Sequence, residues 1–216
     1  MRDTVIRQIL DKKIIAIVRG ISPEQALAAA RALCDGGITL VEVTFNQKAP
    51  ETFQNTAAAI RSIREKLGDR MLVGAGTVTT PELAELAAQA GASYIISPDT
   101  DPEVIRKTRE LGLVSIPGAY TPSEVKQAYK AGADFVKLFP CVGDAPAYLK
   151  AICAPLNHIP LLAVGGVTAD NAAAFLKAGA VGVGVGGSLV NKAWIEAGEY
   201  HKITEEARRF LANLSK

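Results

Sequence analysis

"SPEQALAAARALCDGGITLVEVTF" (residues 22–45) reads as one repeat of a larger pattern. Ser22 stands before a proline, a pairing that caps a helix and pre-sets its first φ. An alanine-rich stretch follows and stops at Gly36-Gly37, where a helix can end on a left-handed glycine. Then comes "LVEVTF" (40–45), short and β-branched, which reads as a strand. The same grammar recurs along the chain. "SPEQ" at 22, "TPEL" at 80, "DPEV" at 101 and "TPSE" at 121 open helices, and "CDGGI", "AAQAGAS", "YKAGAD" and "LKAGAV" close them. The strand-like runs are "IIAIVR" (14–19), "LVEVTF" (40–45), "LVGAGT" (72–77), "YIISP" (94–98), "VSIPG" (114–118), "FVKLFP" (135–140), "LLAVGG" (161–166) and "GVGVGG" (182–187). Strands alternating with helices imply a parallel sheet. Eight such units in about 200 residues predict an α/β fold, a single (β/α)8 TIM barrel over residues 1–216. Extra helices are expected at about 2–12 and 198–214. An open doubly wound sheet is the alternative.

Composition narrows the function. With 24 basic and 22 acidic residues the net charge is +2, which leaves no electrostatic footprint for nucleic acid. No apolar stretch reaches membrane-spanning length, and the polar start "MRDTVIRQILDKK" carries no signal-peptide pattern, so a cytoplasmic protein is expected. Cys34, Cys141 and Cys153 are few and widely spaced, which fits reduced thiols. With only His158 and His201 besides, no protein-held metal is expected, and no other cofactor is called for.

In such a barrel, chemistry belongs at the C-terminal strand ends. The polar residues there are Arg19, Glu42, Thr44, Thr77 and Lys137. Lys137 interrupts the apolar run Phe135-Val136-Lys137-Leu138-Phe139. By strand alternation it shares a face with Phe135 and Phe139, and Glu42 shares one with Leu40 and Thr44. If both faces point inward, an amine and a carboxylate lie inside an apolar tube. One reading is a buried structural ion pair, which rarely repays its desolvation. The other is covalent catalysis. A desolvated lysine loses its proton more easily, attacks a carbonyl and forms a Schiff base, with Glu42 as proton shuttle. The turns "AVGGVTADN" and "GVGVGGSLVN" carry paired glycines beside Thr or Ser, where phosphate-binding barrels hold an anion on backbone N–H groups. Close helix packing would also account for those glycines.

The stretches "AIVRG", "GGITLVEVTF", "VGAGTV", "ISP", "IPGAYTPSE", "FVKLFP" and "VGGV" run in order from the first strand into the strand 7 turn. Together they resemble the 2-keto-3-deoxy-6-phosphogluconate (KDPG) / 4-hydroxy-2-oxoglutarate aldolase family of class I, Schiff-base lyases. The resemblance implies an imine between Lys137 and C2 of pyruvate or substrate, with Glu42 as general acid/base. It implies that Thr77 helps hold the pyruvate carboxylate, and that Gly165, Gly166, Gly187 and Ser188 hold the C6 phosphate. It also implies a homotrimer and a small phosphorylated keto-deoxy sugar acid as substrate. Pro117, Phe139 and Pro140 would shape the pocket wall.

Two positions depart from the gluconate pattern. Asn46 stands where many members carry arginine, so Arg19 is the cation expected to bind substrate. Ala163-Val164-Gly165-Gly166 replaces Pro-Thr-Gly-Gly. Both resemble the 2-keto-3-deoxy-6-phosphogalactonate branch, whose substrate is the C4 epimer. Val164 is then a substrate-binding position, while "VEVTF" and "FVKLFP" fit either branch. Two readings compete: another phosphate-binding barrel enzyme, epimerase-like or thiamin-phosphate-synthase-like, and a non-catalytic barrel that binds phosphorylated metabolites. The first wants metal ligands or several acids at the strand ends, and the second predicts loss of the Lys137/Glu42 pair.

Overall fold

The computed structural model describes residues 2–214. The strands β1 (Ile14–Val18), β2 (Leu40–Thr44), β3 (Leu72–Gly76), β4 (Tyr94–Ile96), β5 (Val114–Ile116), β6 (Gly118–Ala119), β7 (Val136–Leu138), β8 (Leu161–Val164) and β9 (Gly182–Val185) form one sheet. Its order is β5-β4-β3-β2-β1-β9-β8-β7-β6, and every ladder is parallel. The two ends of that order are consecutive in the chain, separated only by Pro117, so the ring closes through the backbone itself.

That break corrects the expectation of one strand over 114–118. Proline has no N–H to give, so the ladder toward β4 stops there. Its carbonyl still accepts from the Lys137 N–H at 2.8 Å, and the Ser115 carbonyl accepts from Phe135 at 3.3 Å. The nine segments therefore make eight barrel staves. Most strands also end one or two residues earlier than expected. The residues beyond, among them Arg19, Thr77 and Gly165, turn into the loops of the C-terminal mouth.

Helices α2 (Pro23–Asp35), α3 (Phe53–Leu67), α4 (Pro81–Gln89), α5 (Pro102–Glu110), α6 (Pro122–Lys130), α7 (Ala145–Cys153) and α8 (Ala172–Lys177) cover the outside. The expected caps form: Ser22, Thr80, Asp101 and Thr121 accept from the N–H groups of Gln25, Leu83, Glu103 and Glu124. A short helix α9 (Lys192–Glu196) follows β9, and then α10 (Tyr200–Leu214). The C-terminal helix expected at about 198–214 forms as α10. It packs against α2 and α8, with Thr204 donating to the Ala32 carbonyl at 2.9 Å, and takes the eighth place in the helix ring. The N-terminal helix α1 (Arg2–Lys12) turns Val5 and Ile9 into the base of the barrel.

The core has two shells. Outward strand residues such as Ile14, Ala16, Val41, Val43 and Val136 pack under the helices. Inward residues Ile15, Leu40, Tyr94, Ile96, Val114, Ile116, Phe135 and Leu162 fill the barrel with Val5 and Ile9. Of the inward positions of β3, Leu72 packs against the barrel interior and the other two are glycine. A Cβ on Gly74 would lie 2.1 Å from the Tyr94 ring, and one on Gly76 would lie 1.6 Å from Oε1 of Glu42. Two large groups thus occupy volume that β3 leaves empty.

The two glycines should respond differently to Ala. The Tyr94 ring is fully buried, and its hydroxyl is tied to the Val41 carbonyl at 2.6 Å, so it cannot swing away. Gly74→Ala should cost about 1–3 kcal/mol in urea unfolding, as overpacked cores do. Gly76→Ala meets the end of a flexible side chain and should cost distinctly less. Equal losses would show that the ring yields as readily as the carboxyl.

Candidate active site

Lys137 sits at the centre of β7 with 6% of its surface exposed, and Glu42 at the centre of β2 with 2% exposed. Inward alternation puts both in the barrel, as the sequence pattern predicts. They do not close an ion pair within 4.0 Å. The Lys137 Nζ lies instead over the Phe139 ring, 4.7 Å from its centroid. This geometry speaks against a structural salt bridge, because the amine is desolvated without a contacting carboxylate to compensate it.

Each group senses that environment. Burial pushes the Lys137 ammonium below the usual lysine range; the field of Glu42 opposes this, and Arg19 adds to it. Burial pushes the Glu42 carboxyl above the usual carboxylate range, against the pull of Lys137 and Arg19. Both shifts move toward neutrality, so the amine gains nucleophilicity and the carboxyl gains the ability to donate as well as accept a proton.

Two cavities open above this pair. One, of about 410 Å³, is lined by Lys137, Phe139, Arg19, Thr44, Asn46, Gln47, Thr77 and Pro98 among others. The second, of about 470 Å³, is lined by Val164, Gly165, Gly166, Thr168, Gly184, Gly187, Ser188 and Lys192 among others. Arg19 and Phe139 line both, so the cavities are neighbouring parts of one mouth. A third space, about 500 Å³, lies beside the mouth against α2, α3 and α9, and includes neither Lys137 nor Glu42.

The expected site residues other than Glu42, which is buried in β2, line these two cavities. Arg19 is exposed just beyond β1 and makes no hydrogen bond or ion pair with the described residues, so its charge is free for a ligand. Thr77 follows β3 at φ 55°, a left-handed conformation that is strained for a β-branched residue. Val164 ends β8 and faces inward, since a Cβ on Gly184 would lie 2.8 Å from its Cγ2. Gly165 and Gly166 turn after β8 with φ of 101° and 65°, conformations that favour glycine. Gly187 and Ser188 follow β9 across the same cavity. The Ser188 hydroxyl donates to the Val167 carbonyl at 2.6 Å, so its proton is already engaged. Among the described residues, the N–H groups of Gly165, Gly166, Gly187 and Ser188 have no hydrogen-bond acceptor and are open to an anion.

Sequence reading missed Gln47 and Lys192, which line the mouth from the β2–α3 loop and from α9. Their only signal was position in a loop after a strand C-terminus. Nothing in the pattern said which way those side chains would reach.

A closed parallel barrel with its nucleophile and acid/base candidates buried at the C-terminal mouth is the architecture of a (β/α)8 enzyme. Comparison with known proteins narrows this. Residues 5–206 match the family described as KDPG and KHG aldolase, and the chain belongs to that aldolase family of lyases. A 2-dehydro-3-deoxy-6-phosphogalactonate aldolase of Escherichia coli (strain K12) is 40% identical over 177 residues, covering 82% of this chain and 83% of that one. A solved structure described as native KDPGal superimposes with a TM-score of 0.83 at 35% identity, covering 94% of each chain. A KDPG aldolase from Legionella pneumophila, solved with pyruvate captured as a covalent carbinolamine intermediate, gives a TM-score of 0.78 at 27% identity. That match covers 91% of this chain and 92% of the other.

The buried pair should weaken the fold it serves. For Lys137, the depressed pKa means that the unfolded chain binds the proton more readily. Its cost is therefore full below the depressed value and vanishes as pH rises to the ordinary 10.5. For Glu42, the raised pKa makes the cost full above the raised value and removes it as pH falls to 4.5. The double variant Lys137→Met/Glu42→Gln should be more stable than wild type by about 1–4 kcal/mol near neutrality. That advantage should shrink toward both ends of the window. Denaturant unfolding across pH would refute the idea if wild type proved the more stable at pH 7.

Proposed function

We propose that this chain is a class I aldolase cleaving 2-keto-3-deoxy-6-phosphogalactonate, or its C4 epimer KDPG, to pyruvate and glyceraldehyde 3-phosphate. The observation that carries the proposal is the Lys137 amine, buried in an apolar wall, opening into a cavity and sharing a barrel with Glu42. The carbinolamine trapped in the Legionella relative supports covalent chemistry on pyruvate.

The steps use this chain's own groups. Neutral Lys137 Nζ attacks the C2 carbonyl, and the proton that the nitrogen gives up passes to the oxygen, leaving a carbinolamine. Glu42 donates a proton to the departing hydroxyl, water leaves, and an iminium remains. The Glu42 carboxylate then takes the proton of the C4 hydroxyl. The C3–C4 bond breaks, its electron pair passes into the enamine on Lys137, and glyceraldehyde 3-phosphate departs. Glu42 returns its proton to C3, and water hydrolyses the imine to release pyruvate and the free amine. Thr77 with neighbouring N–H groups holds the carboxylate. Gly165, Gly166, Gly187 and Ser188 hold the C6 phosphate through the backbone. Arg19, standing between the two cavities, supplies a counter-charge to either anion. No metal or other cofactor enters this scheme.

In this proposal the whole chain, residues 1–216, is one catalytic domain, working in the cytoplasm as a homotrimer in carbohydrate breakdown of the Entner–Doudoroff type. Unphosphorylated 4-hydroxy-2-oxoglutarate is a side substrate, since it carries the same keto-acid end.

Pyruvate with borohydride should add one reduced pyruvate at Lys137, read by peptide mass spectrometry. Lys137→Ala and Lys137→Arg should both abolish labelling and turnover, because a guanidinium stays protonated. A chelator should leave the rate intact. Label on another residue would overturn the assignment.

Val164 sets the lean toward the galactonate epimer. It faces inward at the end of β8, immediately before the paired glycines, where C4 of a substrate held at both ends would lie in this reading. A valine cannot hydrogen-bond a C4 hydroxyl, and an unpaired buried hydroxyl costs about 1–3 kcal/mol. Val164→Thr should therefore shift the kcat/KM ratio of the two epimers toward KDPG by roughly ten- to a hundredfold. An unmoved ratio would reduce Val164 to a wall residue.

A further inference from the structure

Thr77 poses a problem that the aldolase scheme leaves open. Its φ of 55° is left-handed, and its side chain is β-branched, the combination least tolerant of that region. Strain of this kind persists only where the surroundings over-determine the backbone. Thr77 lines the cavity with Lys137, and its own hydroxyl makes no hydrogen bond with the described residues.

The surroundings that hold it come from the loop after β2. The Phe45 N–H donates to the Gly76 carbonyl at 2.9 Å, which continues the β2–β3 ladder by one step. Gln47 then reaches across: its Nε2 donates to the Thr77 carbonyl at 2.7 Å, and its Oε1 accepts from the Thr79 hydroxyl at 3.1 Å. The Phe45 N–H thus holds the chain just before the strained residue, and the Gln47 amide holds it at and after the Thr77 carbonyl. Its own base is fixed, since the Asn46 Oδ1 accepts from the Lys48 N–H at 3.1 Å and the Asn46 carbonyl accepts from Ala49 at 3.0 Å. The clamp is exposed, so it adds little as bulk packing; its particular effect is on the Thr77 backbone.

We propose that Gln47 is a positioning residue, a side-chain clamp that holds Thr77 in its left-handed conformation so that Thr77 can bind the keto-acid carboxylate beside Lys137. The inference deepens the aldolase reading and rests on it. Gln47 touches no reacting atom; it acts on the pyruvate end through Thr77 and leaves the aldehyde end alone.

The test uses the full-length chain as wild type, Gln47→Ala, Thr77→Gly and the double variant. Four quantities are measured: pyruvate affinity by calorimetry, pyruvate-dependent borohydride labelling, the KM for glyceraldehyde 3-phosphate in the condensation direction, and Tm. Gln47→Ala should weaken pyruvate binding by about three- to tenfold, the worth of one or two net hydrogen bonds. The aldehyde KM should stay within about twofold. Glycine adopts φ near 55° without strain, so adding Gln47→Ala to Thr77→Gly should weaken pyruvate binding by less than about twofold. Unchanged pyruvate affinity in Gln47→Ala overturns the proposal, even if Tm falls, because loop stability would then be its whole role. An equal penalty in the glycine background overturns it too, because Gln47 would then act independently of Thr77. Failure of wild type to be labelled by borohydride defeats the imine reading instead, and the calorimetric comparison still decides Gln47.

Discussion

An amine kept dry without a contacting counter-ion is the constraint on which the rest of the structure turns. Lys137 has its Nζ over an aromatic face and no carboxylate within 4.0 Å. A bare ammonium in such a place is costly, and the cheaper state is the neutral amine that chemistry at a carbonyl requires. Glu42 is close enough to be felt and too far to neutralise the lysine by direct contact. Were the two in contact, mutual stabilisation of their charges would favour the ion pair and draw both groups away from proton transfer.

The barrel is built around that spacing. The Lys137 N–H is fixed by the carbonyl of Pro117, the residue at which the ring of strands closes. On the other side, β3 offers glycines where an inward Cβ would collide with Tyr94 and Glu42. The same device recurs on β9, where Gly184 makes room for Val164. Large inward groups therefore sit beside inward positions that carry no side chain on the neighbouring strand, and the mouth keeps enough volume for a ligand. Close packing in the lower barrel, sealed by α1, lets the upper part stay partly empty.

The mouth divides its tasks between neighbouring strand ends. The Lys137 cavity carries Thr77 and the Asn46–Gln47 loop; the adjoining cavity carries the paired-glycine turns. Arg19 belongs to both, and its charge meets solvent directly. In the proposed reading, a substrate with an anion at each end would find separate donors in the two cavities. Asn46 spends its side chain on the turn that presents Gln47.

The amino-acid sequence by itself determined the βα rhythm, the four capped helix starts and the inward face of both Lys137 and Glu42. These depend on interactions within a few residues: a cap, a glycine at a helix end, an alternation of period two. It did not determine that "VSIPG" would split at Pro117 and close the ring, because that depends on which partner strand loses a donor. Nor did it show that the C-terminal helix would complete the outer ring, that Ser188 would spend its hydroxyl proton on Val167, or that Gln47 would cross to Thr77. Each of these joins groups far apart in the chain. The spacing of Lys137 from Glu42 belongs with them: residue pattern placed both inside, and only the radius and stagger of the closed barrel decided that they would share a field without sharing a hydrogen bond.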